Sequence, residues 1–263
     1  MHHKLSLLTL KTMANIEFKT GVIRPVKCMR EGWELIKDQY WLFFAITLVG
    51  MLIAGVVPFG ILLGAMFCGI YYCLFQKISG HRMTFEGLFK DFDYFVPSLI
   101  ATLVFIIPAI ILGVLAYIPL IMMQISMMNS KNPNPNEIFA YFGFFAVEMV
   151  ALWLVLGTIH AFLLFAYPLI IEYKLSGIEA FKLSAKAVWK NLGGVVGFIA
   201  LEVALVIVGY LLCFVGVYLT LPLMFAGALV AYRKVFPPLN SENFNVPPPP
   251  SAFQGAGSYN QRI

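Results

Sequence analysis

Residues 41–76 read WLFFAITLVGMLIAGVVPFGILLGAMFCGIYYCLFQ, without a single charged side chain. A bilayer core takes about 20 apolar residues per helix, so this stretch is too long for one crossing and barely long enough for two. Pro58, flanked by Gly55 and Gly60, supplies the turn of a tight hairpin between the two legs. Lipid offers no water to the peptide groups, so each leg must pair its own as an α-helix. Residues 94–130 form a second uncharged stretch and carry the same reading.

The rest of the chain agrees. Of 263 residues, 60% are hydrophobic and 12% charged, with a mean hydropathy of +0.85. Soluble domains carry about 25% charged residues, so the solvated surface is roughly half the usual one. The expected fold is an all-α polytopic bundle of six spans, at about 40–57, 59–76, 95–124, 140–171, 192–212 and 215–235. Spans three and four, about 30 residues or roughly 45 Å each, must tilt, kink or project past the lipid. Folding each into a hairpin would give eight spans, but with legs of about 15 residues, which are too short. Pro97, Pro108 and Pro119 recur at three-turn spacing, share one face and can bend span three. A second tight hairpin is expected around Cys213–Gly216.

The charges assign sides. With six spans, seventeen of the eighteen lysines and arginines fall on one side and only Lys131 on the other. The positive-inside bias makes the crowded side cytoplasmic, together with both termini. Residues 1–24 are then a cytoplasmic segment, 25–236 the membrane domain, and 237–263 a disordered, Pro-rich cytoplasmic tail containing Pro247–Pro250. The tail is a candidate docking segment for a protein partner. The net charge of +5 is spread over short loops, which argues against nucleic acid as a partner. Cysteines 28, 68, 73 and 213 form no C-x-x-C and read as small buried hydrophobes. No signal peptide is expected. Met13 is an alternative start to Met1, which would make His2 and His3 an upstream extension rather than a metal site.

Three short amphipathic segments precede apolar stretches on the basic side. In Pro25–Tyr40 the expected apolar face is Val26, Met29, Trp33, Ile36 and Tyr40. In Thr84–Phe92 it is Phe85, Leu88, Phe89 and Phe92. In Gly177–Asn191 it is Ile178, Phe181, Ala185 and Val188, opposite a stripe of Lys182, Lys186 and Lys190. Ser176 and Glu179 form the S-x-x-E of a capping box at the start of the third. Each segment can rest in the interface, with the three lysines among lipid headgroups.

No phosphate loop, H-E-x-x-H, G-x-S-x-G or G-x-G-x-x-G is present, and neither cofactor nor metal is expected. Ionisable residues inside spans are the candidate functional groups. They are Glu148, His160 and Glu202. Counted from the cytoplasmic ends of spans four and five, His160 and Glu202 each lie about 12 residues deep, roughly 18 Å. They meet if those spans touch, either as a proton or cation relay or as a bond between two helices worth about 1 kcal/mol. Gly60 with Gly64, and Gly193 with Gly197, are G-x-x-x-G pairs that permit close helix packing. Met122, Met123, Met127 and Met128 have no Cys or His beside them and read as gap-fillers rather than copper ligands. Asp91 and Asp93, with Arg82 and Lys90, form a charged belt below span three.

Four stretches resemble a loose group of bacterial integral membrane families that includes the membrane region fused to some glycerophosphodiester phosphodiesterases. They are Gly21–Pro25 running into Gly32–Leu35 and Tyr40-Trp41, and Pro58–Gly64 through Gly69, Tyr71 and Gly80–Arg82 to Phe92. The others are Tyr167–Ile170 with Gly177, Glu179-Ala180 and Ser184, and Gly216-Val217 with Pro222 and Ala231–Arg233. Together they cover about residues 21–236. The resemblance implies a six-helix bundle in a bacterial inner membrane and supplies no catalytic residues, because the phosphodiesterase domain is missing. The expected role is that of a non-enzymatic, structural or accessory membrane protein. The alternative is a small transporter or channel using His160 and Glu202. The spans contain few polar residues beyond Thr47, Thr102, Gln124, Thr158 and Thr220, which favours the first.

Overall fold

A computed structural model describes residues 16–90, 94–129, 135–212 and 215–238. His2, His3, Met13, Asp91, Asp93, Lys131, Cys213 and the tail from residue 239 lie outside the described residues. Those described form ten α-helices and no strand. They are α1 (Pro25–Ile36), α2 (Tyr40–Val56), α3 (Leu63–Ile78), α4 (Gly87–Lys90) and α5 (Phe95–Asn129). Then follow α6 (Pro135–Leu163), α7 (Ala166–Tyr173), α8 (Gly177–Lys190), α9 (Leu192–Leu211) and α10 (Val215–Val235).

Five helical stretches are long and apolar enough to cross a membrane: Pro25–Val56, Phe95–Asn129, Ile138–Tyr173, Leu192–Leu211 and Val215–Val235. The first joins α1 to α2 through a 3-10 turn at Lys37–Gln39. The chain is therefore a helical membrane protein. The second leg of the opening hairpin is shorter than expected. Pro58–Gly60 form a 3-10 turn, with Gly60 at φ +62°, and α3 starts only at Leu63, leaving 16 residues or about 24 Å.

Two other boundaries differ from expectation. Span three runs on to Asn129, so the methionine cluster lies on α5 itself. Span four breaks at Leu164–Phe165. The cause is Pro168, which has no N–H to donate and whose ring crowds the carbonyl of Leu164. At the break, the Phe165 N–H donates instead to Ser184 Oγ at 3.1 Å, and Ser184 is fully buried.

Helices in lipid gain no hydrophobic drive from meeting one another, so contact depends on close van der Waals approach and favours small residues. The amphipathic helices follow this rule, burying small residues beside part of the apolar faces read from the sequence. On α1 the buried residues are Cys28, Met29, Gly32 and Ile36, while Val26 and Trp33 are exposed. α1 packs most extensively on α10, where a Cβ on Gly32 would stand 2.6 Å from the Gly227 nitrogen. On α8 the buried residues are Gly177, Ala180, Leu183, Ser184, Ala187 and Val188. Ile178 is exposed, and Phe181 and Ala185 are only part-buried. The small side of α8 packs on α5, α6 and α7. The middle segment shrinks to the single turn of α4, seated where a Cβ on Gly69 would lie 2.1 Å from the Leu88 carbonyl oxygen.

The glycine pairs divide. Gly64 fits closely against Ser98 and Thr102 of α5, and Gly197 against Pro25, whereas Gly60 belongs to the turn and Gly193 faces open space. The close neighbour on α9 is Gly194, against Ile23.

Polar contacts gather at one end of the bundle. Lys77 pairs with Asp38, and Gln39 Oε1 accepts from Lys77 Nζ and the Met83 N–H. Glu172 accepts from both Tyr232 and Arg233, and the Arg233 guanidinium lies 4.8 Å from the centre of the Phe75 ring. Asn191 accepts from the Gly21 N–H and donates to Lys19 O, while the Lys19 N–H donates to Val235 O at 2.8 Å. At the other end the far half of α5 and most of α6 turn large apolar side chains outward, among them Val114 and Trp153.

Candidate functional site

Where α2, α3, α5, α6, α7, α9 and α10 face one another they leave a cavity of about 320 Å³. Its floor is set by an aromatic cluster on helical spacing. Phe67 and Tyr71 sit four residues apart on α3, and both meet Phe225 of α10 edge to face, with ring centres 5.3 and 5.5 Å apart. Phe67 also meets Tyr167 at 5.1 Å. Edge-to-face rings have fixed preferred geometry, so the cluster makes a stiff wall. Phe105 and Met224 continue the apolar lining.

Two polar features interrupt it. Thr102 donates to the Ser98 carbonyl at 2.7 Å, which leaves its oxygen to accept from the Tyr167 hydroxyl at 3.1 Å. Tyr167 is aimed there because α7 restarts at Ala166 after the break. The second feature is the pair foreseen from equal depth. His160, in the last turn of α6, places Nε2 at 3.7 Å from Glu202 Oε2 on α9. That separation is an ion-pair contact but exceeds hydrogen-bonding distance. The two residues differ sharply in setting. Glu202 is 7% exposed, whereas the His160 side chain is 53% exposed. Among the described residues no other ion pair involves Glu202 and it makes no hydrogen bond.

No protein-family model, curated protein or solved structure gives a significant match to this chain. A cavity with one buried carboxylate and mainly apolar walls can hold the polar end of a small molecule while enclosing its apolar body.

The other sequence candidates lie elsewhere. Lys182, Lys186 and Lys190 are exposed along α8. Glu148 is half-buried on α6, with Oε2 enclosed and without a hydrogen-bond partner among the described residues. Met122, Met127 and Met128 are exposed at the far end of α5. The sequence reading missed Tyr71 and Tyr167 as cavity residues. The signal was there in Phe67 and Tyr71, an aromatic pair one turn apart facing a helix with its own aromatic at Phe225. It also missed Glu172 with Tyr232-Arg233, an acid and a Tyr-Arg step at the ends of two apolar runs.

Proposed function

We propose that this chain is a non-enzymatic, six-span membrane protein that binds, and as a carrier passes on, a small amphipathic molecule held in the His160–Glu202 cavity. The observation that carries this reading is the cavity itself. A pair serving only to join two helices would sit in a dry, filled interface, whereas Glu202 borders open volume beside half-exposed His160. The lining has no serine, cysteine or lysine, and Thr102 is held by Ser98 and Tyr167, so no activated nucleophile faces the space.

The six-span arrangement counts α3 as a crossing. It is supported by the Lys77–Asp38 pair, which levels the end of α3 with the start of α2. The charge bias supports cytoplasmic termini, and the resemblance noted above supports a bacterial inner membrane. Lys182, Lys186 and Lys190 then lie where anionic headgroups are found. The accessory role remains as a second reading, favoured by the scarcity of polar residues in the lining.

Native mass spectrometry of the full chain released from nanodiscs separates the two. The binding reading expects a small-molecule adduct on the wild type that disappears in Met224→Trp, which fills the cavity. A bare wild type, or an adduct unchanged in the variant, returns the chain to the accessory role.

A further inference from the structure

The cavity has a charge asymmetry that selects among amphipathic ligands. Among the described residues its titratable lining consists of Glu202 from α9, His160 from α6, Tyr71 from α3 and Tyr167 from α7, with no lysine or arginine. The ionised form of Glu202 would be an anion that is more than nine-tenths buried, making no hydrogen bond among the described residues and with one imidazole 3.7 Å away. A buried charge is stable only when paired, and the pairing left to it is incomplete. The cavity that the carboxylate borders is lined as well by the rings of Phe67, Tyr71, Phe105, Tyr167 and Phe225. Aromatic rings attract cations through their negative faces, and the attraction grows as water is removed.

We infer that the ligand class of this cavity is a lipophilic monocation, with its charged centre beside Glu202 and its apolar body against the aromatic wall. The inference rests on the binding reading above and narrows it. An anionic ligand would meet Glu202 with no lysine or arginine to offset the repulsion. A neutral one would leave the carboxylate as it stands, enclosed and half-partnered. A cation completes the pair from inside the cavity. The volume of about 320 Å³ suits a molecule of one aromatic ring with a small ammonium head.

The test uses two compounds of one shape, phenyltrimethylammonium and its uncharged carbon isostere tert-butylbenzene, on the full chain in detergent. Thermal unfolding is followed with a thiol-reactive dye, since Cys28, Cys68 and Cys73 are buried in the folded bundle. A ligand that binds only the folded state raises the midpoint. The expected result is a rise of several degrees with millimolar cation on wild type. In Glu202→Gln the rise should fall to that given by tert-butylbenzene, Glu202→Asp should keep most of it, and Met224→Trp should lose the response to both compounds. If the isostere matches the cation on wild type, or Glu202→Gln responds as wild type does, the cation assignment is overturned. Should both compounds stabilise equally and both fail on Met224→Trp, the cavity still binds and only the ligand class is lost. No response to either compound on wild type removes both readings together.

Discussion

Glu172 shows how one carboxylate can organise the end of a bundle. It accepts from the Tyr232 hydroxyl and the Arg233 guanidinium, and Arg233 in turn lies over Phe75. Side-chain exposures are 12% for Glu172 and 20% for Arg233, so most of the pair is out of water. Removing one partner of a fully buried pair costs roughly 3–5 kcal/mol, because the other charge stays behind uncompensated. Residual exposure of Arg233 lowers the figure, and Glu172→Ala should destabilise by about 2–3 kcal/mol. The exposed Lys37–Glu34 pair is the control, since truncating an exposed partner shifts stability by less than about 1 kcal/mol. Unfolding midpoints of Glu172→Ala and Lys37→Ala in the same detergent check this, and equal midpoints would sink it. Glu172→Gln should fall between, because the amide still accepts from Tyr232.

Among the elements, the contact between α1 and α10 is the most extensive. A methyl on Gly32 would press on the backbone of Ala226 and Gly227, which cannot move aside as a side-chain tip can, so Gly32→Ala should cost about 1–3 kcal/mol. Gly193→Ala on α9 meets open space and should be neutral within about 0.5 kcal/mol. Comparable losses at the two positions would refute the assignment. These glycines also mark what the sequence could tell. Long uncharged runs located the helices, and the Ser176–Glu179 capping box at the start of α8 is present with both of its bonds. The equal depth of His160 and Glu202 was legible by counting. Which side of α1 and α8 turns inward was not, because apolar size is the guide in water while close approach decides in lipid. That is why Gly32 and Ala187 are found inside, while Trp33 and Ile178 of the expected apolar faces stay exposed. Pro168 lies inside the expected span 140–171 and marks its break only in hindsight, and the residue that satisfies the break, Ser184, is remote in sequence and shown only by the fold.

The molecule as a whole is polarised. One end is tied by ion pairs and side-chain bonds, and the other consists of the outward-facing apolar length of α5 and α6. α5 alone has 35 residues, about 52 Å of helix, against a hydrocarbon core of about 30 Å. It must tilt or carry part of its length beyond the core. Impermeant maleimide on intact cells tests the arrangement with single cysteines in a background lacking the native thiols. If α3 crosses, as proposed, α2 and α3 together return the chain, so Lys27→Cys and Arg82→Cys should share one side and Lys131→Cys should react from the other. Labelling of Lys27→Cys together with Lys131→Cys, with Arg82→Cys on the opposite side, would mean that α3 does not cross.

The bond from the Lys19 N–H to Val235 O, with Phe18 and Phe236 rings 5.8 Å apart beside it, has a topological consequence. The chain enters and leaves the bundle at the same point. Joined there by a short linker, the path becomes a ring, and a circular permutant opened at the distant α5–α6 connection would break none of the polar contacts that hold the tied end together.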